Sequence, residues 1–133
     1  MRHVIIASHH LFADGLRDTL EFVAGTKDIR TVCAYMDAEQ VEEQAQRALE
    51  AVRGGDEALI LTDVFQGSVN QAFLPYVREG VHLVSGVSVP CALELVMLPE
   101  PLEAQAIREA VERAREQIVY AADYVANESD DDE

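Results

Sequence analysis

Two segments of this chain end an apolar run on residues able to do chemistry. Val4-Ile5-Ile6-Ala7-Ser8 delivers His9 and His10, and Leu59-Ile60-Leu61-Thr62 delivers Asp63 followed by Val64-Phe65-Gln66-Gly67-Ser68. A histidine suits reversible group transfer because neutral imidazole is a nucleophile near neutral pH and its two nitrogens can take separate tasks. One nitrogen attacks while the other has its N–H held by an acceptor, and Asp63 is the candidate acceptor. The small-residue turn Gln66-Gly67-Ser68 opens a predicted helix, whose first amides favour an anion. The hydroxyl of Ser68 can add a hydrogen bond, and Ser8 or Thr62 can add another. Together this is equipment for carrying a phosphoryl group. Either residue alone has a plain reading, His9 as a polar strand end and Asp63 as a loop or cap residue, so the case rests on their meeting.

Their meeting depends on the order of elements. A strand over His3–Ser8 is followed by a helix over Leu11–Ala24, which Gly25 stops. A second strand over Ile29–Tyr35 and a helix over Ala38–Val52 come next, closed by Gly54-Gly55. The third strand is Ala58–Thr62, and a helix starts near Gly67 or Ser68; Pro75 is awkward inside it and puts its first turn nearby or kinks it. The fourth strand, Val81–Ser85, ends at Gly86. A helix over Pro90–Met97 begins with proline in its first turn, and Pro99 and Pro101 precede a long amphipathic helix over Leu102–Glu116. The run Ile118-Val119-Tyr120-Ala121-Ala122 either extends that helix or forms a fifth strand.

Strands alternating with helices predict an α/β fold with a doubly wound, mostly parallel sheet. Such sheets bind ligands beyond the carboxyl ends of their strands, where the strand order reverses. An order of 2-1-3-4 makes the His9 and Asp63 strands neighbours across that point.

Composition narrows the function further. The 133 residues, 49% of them apolar, suit one domain with a real core over residues 1–126 and an acidic tail over 127–133. A formal net charge of −15 argues against nucleic acid and anionic lipid as partners. No run is long enough to span a membrane and no signal segment is evident, so the chain reads as cytoplasmic. Cys33 and Cys91 have no metal-type spacing and read as buried, inert thiols. His3 and His82 read as structural, although His3 completes a Met-Arg-His start that can chelate copper or nickel. His10 reads as a loop or helix-start residue. His9, His10 and Asp63 are too few for a metal hydrolase, no GxGxxG follows the first strand, and a receiver-type acidic pair is missing there. The reading therefore needs no metal and no cofactor.

Three ordered motifs make the resemblance specific. Ser8-His9-His10 matches a Ser/Thr-His-Gly end of the first strand. Asp63-Val64-Phe65-Gln66-Gly67-Ser68-Val69 matches Asp-x-Phe/Trp-Gly-Gly-Ser-Pro-x-Asn, with Asn70 one position early. Ser85-Gly86-Val87-Ser88-Val89-Pro90 matches Thr-Gly-Val-Asn-Leu-Pro. The chain thus resembles, over nearly its whole length, the IIA domain of the mannose family (mannose/fructose/sorbose type) of the phosphoenolpyruvate-dependent sugar phosphotransferase system, the PTS. The resemblance implies a phosphotransferase component phosphorylated on the distal nitrogen of His9, with Asp63 orienting the proximal one and Gly67, Ser68, Gln66 and Ser8 around the phosphate. It implies phosphate arriving from HPr and leaving to a IIB component, with membrane IIC and IID components served indirectly. It also implies a homodimer whose last strand, Ile118–Ala122, is antiparallel and exchanged between subunits. A phosphorylation-dependent sensor, or a phosphoryl donor to a dihydroxyacetone kinase, uses the same histidine. His10, Gln66 and Val69 stand where the family has glycine, glycine and proline.

Overall fold

The computed structural model describes residues 1–26 and 28–125. The acidic tail expected over 127–133 lies outside the described residues. Four strands, β1 (Arg2–His9), β2 (Ile29–Ala34), β3 (Glu57–Thr62) and β4 (Val81–Ser85), form one sheet in the order β2-β1-β3-β4. All three pairings are parallel, with Ser8 opposite Cys33, Ala7 opposite Thr62, and Thr62 opposite Ser85. The expected order therefore holds. β1 and β3 are the central neighbours, and the chain reverses its direction of winding between them.

Buried parallel strands need apolar side chains on both faces, which explains the continuous apolar runs. Val4, Ile6, Leu59 and Leu61 face one core with α1 (Phe12–Ala24), α4 (Val89–Val96) and α5 (Ala104–Arg115). Ile5, Ala7, Ala58 and Ile60 face the other, with α2 (Val41–Leu49) and α3 (Ser68–Phe73). Alternate residues of one strand thus feed two cores, and moving a strand by one position would exchange them.

Where boundaries differ from expectation, local chemistry decides. α2 starts three residues later than its apolar spacing indicated, because the Asp37 carboxylate takes the Glu39 amide at 2.9 Å and holds a turn there. α3 stops at Phe73, and Pro75 sits inside a separate 3-10 turn over Leu74–Tyr76. α4 is capped by Ser88, whose Oγ accepts the Cys91 N–H at 3.3 Å.

Residues 118–120 are irregular and 121–125 are helical, so in a single chain the 118–122 segment is neither more α5 nor a fifth strand. Tight turns from Glu116 to Arg113, Gln117 to Ala114 and Ile118 to Arg115 end α5 instead. Ile118, Val119 and Tyr120 stay exposed, and β4 has one edge of the sheet to itself.

Cys91 is buried and Cys33 half-buried. Burial pushes both thiols above their ordinary value, and the Asp14 carboxylate pushes the same way on Cys33, against a bond that lowers it. Little thiolate forms at neutral pH, as inert thiols require.

Candidate functional site

The parallel register brings the ends of β1 and β3 to one edge of the sheet, with His9 the last residue of β1 and Asp63 the first after β3. Asp63 Oδ2 accepts two bonds from the same residue: the His9 backbone N–H at 2.8 Å and ring Nδ1 at 2.9 Å. An ionised carboxylate only accepts, so the hydrogen of the neutral imidazole lies on Nδ1 and the lone pair on Nε2. Clamping backbone and ring together fixes both the position and the tautomer of the histidine. Its side chain is 40% exposed while that of Asp63 is 12% exposed. The carboxylate is therefore the more buried partner of the pair and the imidazole the more exposed.

Ser68, the first residue of α3, places its Oγ 3.4 Å from Nε2. With the Nε2 lone pair as acceptor, the Ser68 hydroxyl is the donor. Gly67 caps α3 in extended conformation, and its amide bonds to Val64 O at 3.1 Å. A Cβ at Gly67 would meet Val64 Cβ and Val64 O, each at 3.2 Å, so a larger residue here would crowd the turn and press on Val64. Gln66, just before it, is exposed with φ 67.

Ser8 is placed differently from Ser68. Its side chain is fully buried, its hydroxyl donates to His10 O at 3.0 Å, and its Oγ accepts the Ala13 N–H at 2.7 Å. It joins the loop after His9 to the start of α1, with its hydrogen already spent, and is not among the groups gathered at Nε2. Thr62 is similarly committed: its Oγ1 donates to Asn70 Oδ1 at 2.8 Å, and Ser85 Oγ donates to the same oxygen. Asn70, buried to 1% exposure, thus ties the ends of β3 and β4 to α3.

His10 continues the β1–β2 ladder by one bond, its N–H to Ala34 O at 2.9 Å, and then turns away at φ 53. Among the described residues, those other than glycine with positive φ are His10, Tyr35 and Gln66, all at this edge of the sheet. Left-handed backbone costs a side-chain-bearing residue about 1 kcal/mol or more, and such strain gathers where surroundings hold a working geometry. Two of the three, His10 and Gln66, are positions where the sequence motif has glycine, the residue that takes this conformation without strain.

Tyr35 is the residue that sequence reasoning left without a role. Its ring lies 5.4 Å from the His9 ring at 30°, and its hydroxyl is 2.5 Å from Ser68 Oγ. A signal was present: His9 pairs with Ala34, so the next residue of the second strand had to emerge beside the histidine.

Among the described residues no group of three or more His, Cys, Asp or Glu side chains gathers as a metal site. His3 and His82 lie in the sheet, His3 with its Nε2 on Asp56 at 2.9 Å.

The comparison that decides the family covers most of the chain. Residues 3–113 match the family model of the PTS system fructose IIA component. The chain belongs to that family. It is also similar to a solved Klebsiella pneumoniae protein described as a phosphoenolpyruvate-dependent sugar PTS permease, at 34% identity over 93% of each chain and a TM-score of 0.86. The PTS IIA protein associated with the fucose utilization operon of Streptococcus pneumoniae shares the fold at 24% identity, with 93% and 96% of the two chains covered and a TM-score of 0.79. The mannose/sorbose specific IIA subunit of Enterococcus faecalis shares it at 14% identity, with 89% and 92% covered and a TM-score of 0.70. No curated protein matches. The protein is thus a IIA component of the sugar phosphotransferase system.

Proposed function

We propose that this IIA component is a phosphohistidine carrier, taking a phosphoryl group from phospho-HPr onto His9 Nε2 and passing it to a IIB component during sugar uptake. The observation that carries the reading is the pair of hydrogen bonds from the backbone N–H and Nδ1 of His9 to Asp63 Oδ2, which leaves the lone pair of this partly exposed imidazole on Nε2.

In the forward step the Nε2 lone pair forms a bond to phosphorus as the bond from phosphorus to the donor's nitrogen breaks, its electron pair leaving with the donor. Positive charge then develops on the His9 ring, and Asp63 stabilises it through Nδ1–H. The phosphoryl oxygens come within reach of the Ser68 hydroxyl and the first amides of α3, beside the Gln66-Gly67 turn. α3 has only six residues, so its local N–H groups matter more here than a long-range dipole. Transfer onward is the reverse displacement. Partner docking is supported by apolar side chains on the loops after β1, β2 and β3: Leu11, Met36, Val64 and Phe65 are all exposed.

The homodimer belongs to the same reading. Exposed Ile118, Val119 and Tyr120 follow α5, and the free edge of β4 is available to a strand from a second copy. No described helix is long and apolar enough to cross a membrane, and a carrier between HPr and IIB works in the cytoplasm.

The test is incubation with phosphoenolpyruvate, the general first PTS enzyme and HPr, followed by intact mass measurement. The expected product carries one acid-labile phosphate, lost in His9→Ala and retained in His10→Ala. Label that survives His9→Ala would overturn the assignment.

A further inference from the structure

The hydroxyl of Ser68 is the side-chain donor nearest Nε2, yet Ser68 is exposed, and a serine hydroxyl in water rotates freely among partners. Tyr35 removes that freedom. Its position is held rather than incidental: φ is 67, the ring lies against the imidazole, and the hydroxyl is 2.5 Å from Ser68 Oγ. The direction of this bond follows from the histidine. Nδ1–H is given to Asp63, so Nε2 accepts; Ser68 therefore donates its hydrogen to Nε2, and its oxygen is left to accept from Tyr35. The result is a one-way chain, Tyr35 O–H to Ser68 O–H to His9 Nε2. In such a chain each bond polarises the next, so Ser68 becomes a stronger donor as well as an oriented one.

We propose that Tyr35 is a positioning residue for phosphoryl transfer: its hydroxyl donates to Ser68 Oγ and so commits the Ser68 hydrogen to the occupant of Nε2. Before transfer that hydrogen meets the nitrogen lone pair. Afterwards it meets an oxygen of the phosphoryl group, with Tyr35 still holding the serine oxygen. No proton changes owner. The role rests on the phosphocarrier reading and adds to it the residue that follows β2, the neighbouring strand that supplies neither the histidine nor the aspartate.

The experiment is a double-mutant cycle on the full chain, measuring phosphoryl transfer from phospho-HPr. Tyr35→Phe keeps the ring beside His9 and removes only the hydroxyl; circular dichroism checks that it folds. Losing one neutral hydrogen bond is expected to slow turnover about fivefold, with KM for phospho-HPr unchanged because docking is untouched. In the Ser68→Ala background the same change is expected to have no further effect. Wild-type turnover in Tyr35→Phe, a rise in KM alone, or an equal loss in the Ser68→Ala background would each overturn the proposal while His9 labelling stands. A wild-type chain that takes no label, or label that survives His9→Ala, would overturn the phosphocarrier reading and the Tyr35 role with it.

Discussion

Both ends of β1 carry a histidine bonded to an aspartate at 2.9 Å, and the two pairs use opposite ring nitrogens. At the amino edge His3 gives Nε2 to Asp56 and is 16% exposed; at the carboxyl edge His9 gives Nδ1 to Asp63, and its outer nitrogen stays accessible. The surroundings differ in the same sense. At the amino edge Arg2 spans Glu57 Oε1, Leu98 O and Pro99 O, and the Leu102 amide takes Glu57 Oε2, so the start of β1, the start of β3 and the approach to α5 are stitched together. Left-handed positions there fall to glycine, at Gly25, Gly55 and Gly80. At the carboxyl edge one of four described left-handed positions is glycine, Gly86, and the other three carry side chains, at His10, Tyr35 and Gln66. The backbone is relaxed at one edge and strained at the other. A histidine–carboxylate pair therefore says little about function until one asks which nitrogen is left over and whether anything can reach it.

The sharpest way to break this contrast is to neutralise each aspartate in turn. Asp63→Asn should slow transfer from phospho-HPr about a hundredfold, because the amide can present N–H to Nδ1 and so favour the wrong tautomer. Asp56→Asn should leave the rate within about twofold, a pair that only holds structure contributing nothing to the step. Equal effects would erase the distinction between the edges.

Acid tests the amino-edge carboxylates directly. The His3 bond, with the Arg53 amide, holds the Asp56 carboxyl below its ordinary 3.8. At Glu57 burial pushes upward, but the Leu102 amide and Arg2 outweigh it and the carboxyl lies below its ordinary 4.5. A depressed carboxylate contributes stability that is present above its unfolded value and lost as pH falls through its folded one. The melting temperature of the wild-type chain should therefore drop below about pH 4, and Asp56→Asn should flatten that drop. An unchanged acid limb would count against the stitching at the amino edge.

The smallest effect concerns strain. Gln66→Gly removes a left-handed side chain but adds freedom to the unfolded chain, a net gain of about 0.5 kcal/mol. The opposite exchange at the other edge, Gly80→Ala at φ 84, should cost about 1 kcal/mol or more. Denaturant midpoints read both, and a destabilised Gln66→Gly chain would show that the glutamine side chain holds the turn.

Much of this was legible in the sequence because parallel sheets read plainly. Continuous apolar runs marked β1 and β3, and an order of 2-1-3-4 sufficed to place His9 beside Asp63. What stayed hidden depended on contacts between side chains distant in sequence. Ser8 and Ser68 are the same residue type at the same sheet edge, and only packing turned one into a buried tie and left the other at Nε2. Tyr35 could be placed by register, but its bond to Ser68 needed the left-handed turn at the end of β2. The run at 118–122 has strand-like composition yet no strand partner among the described residues, and a strand without a neighbour has no ladder to form.

The central claim is that the carboxyl-edge pair leaves one nitrogen of one histidine to carry the phosphoryl group. The most direct measurement is ³¹P and ¹⁵N NMR of the phosphorylated, ¹⁵N-histidine-labelled chain, which identifies the nitrogen bonded to phosphorus. The expected result is a single phosphohistidine, His9 substituted at Nε2 with Nδ1 still protonated. Phosphorus on Nδ1 of His9, or on any other histidine, would contradict the account.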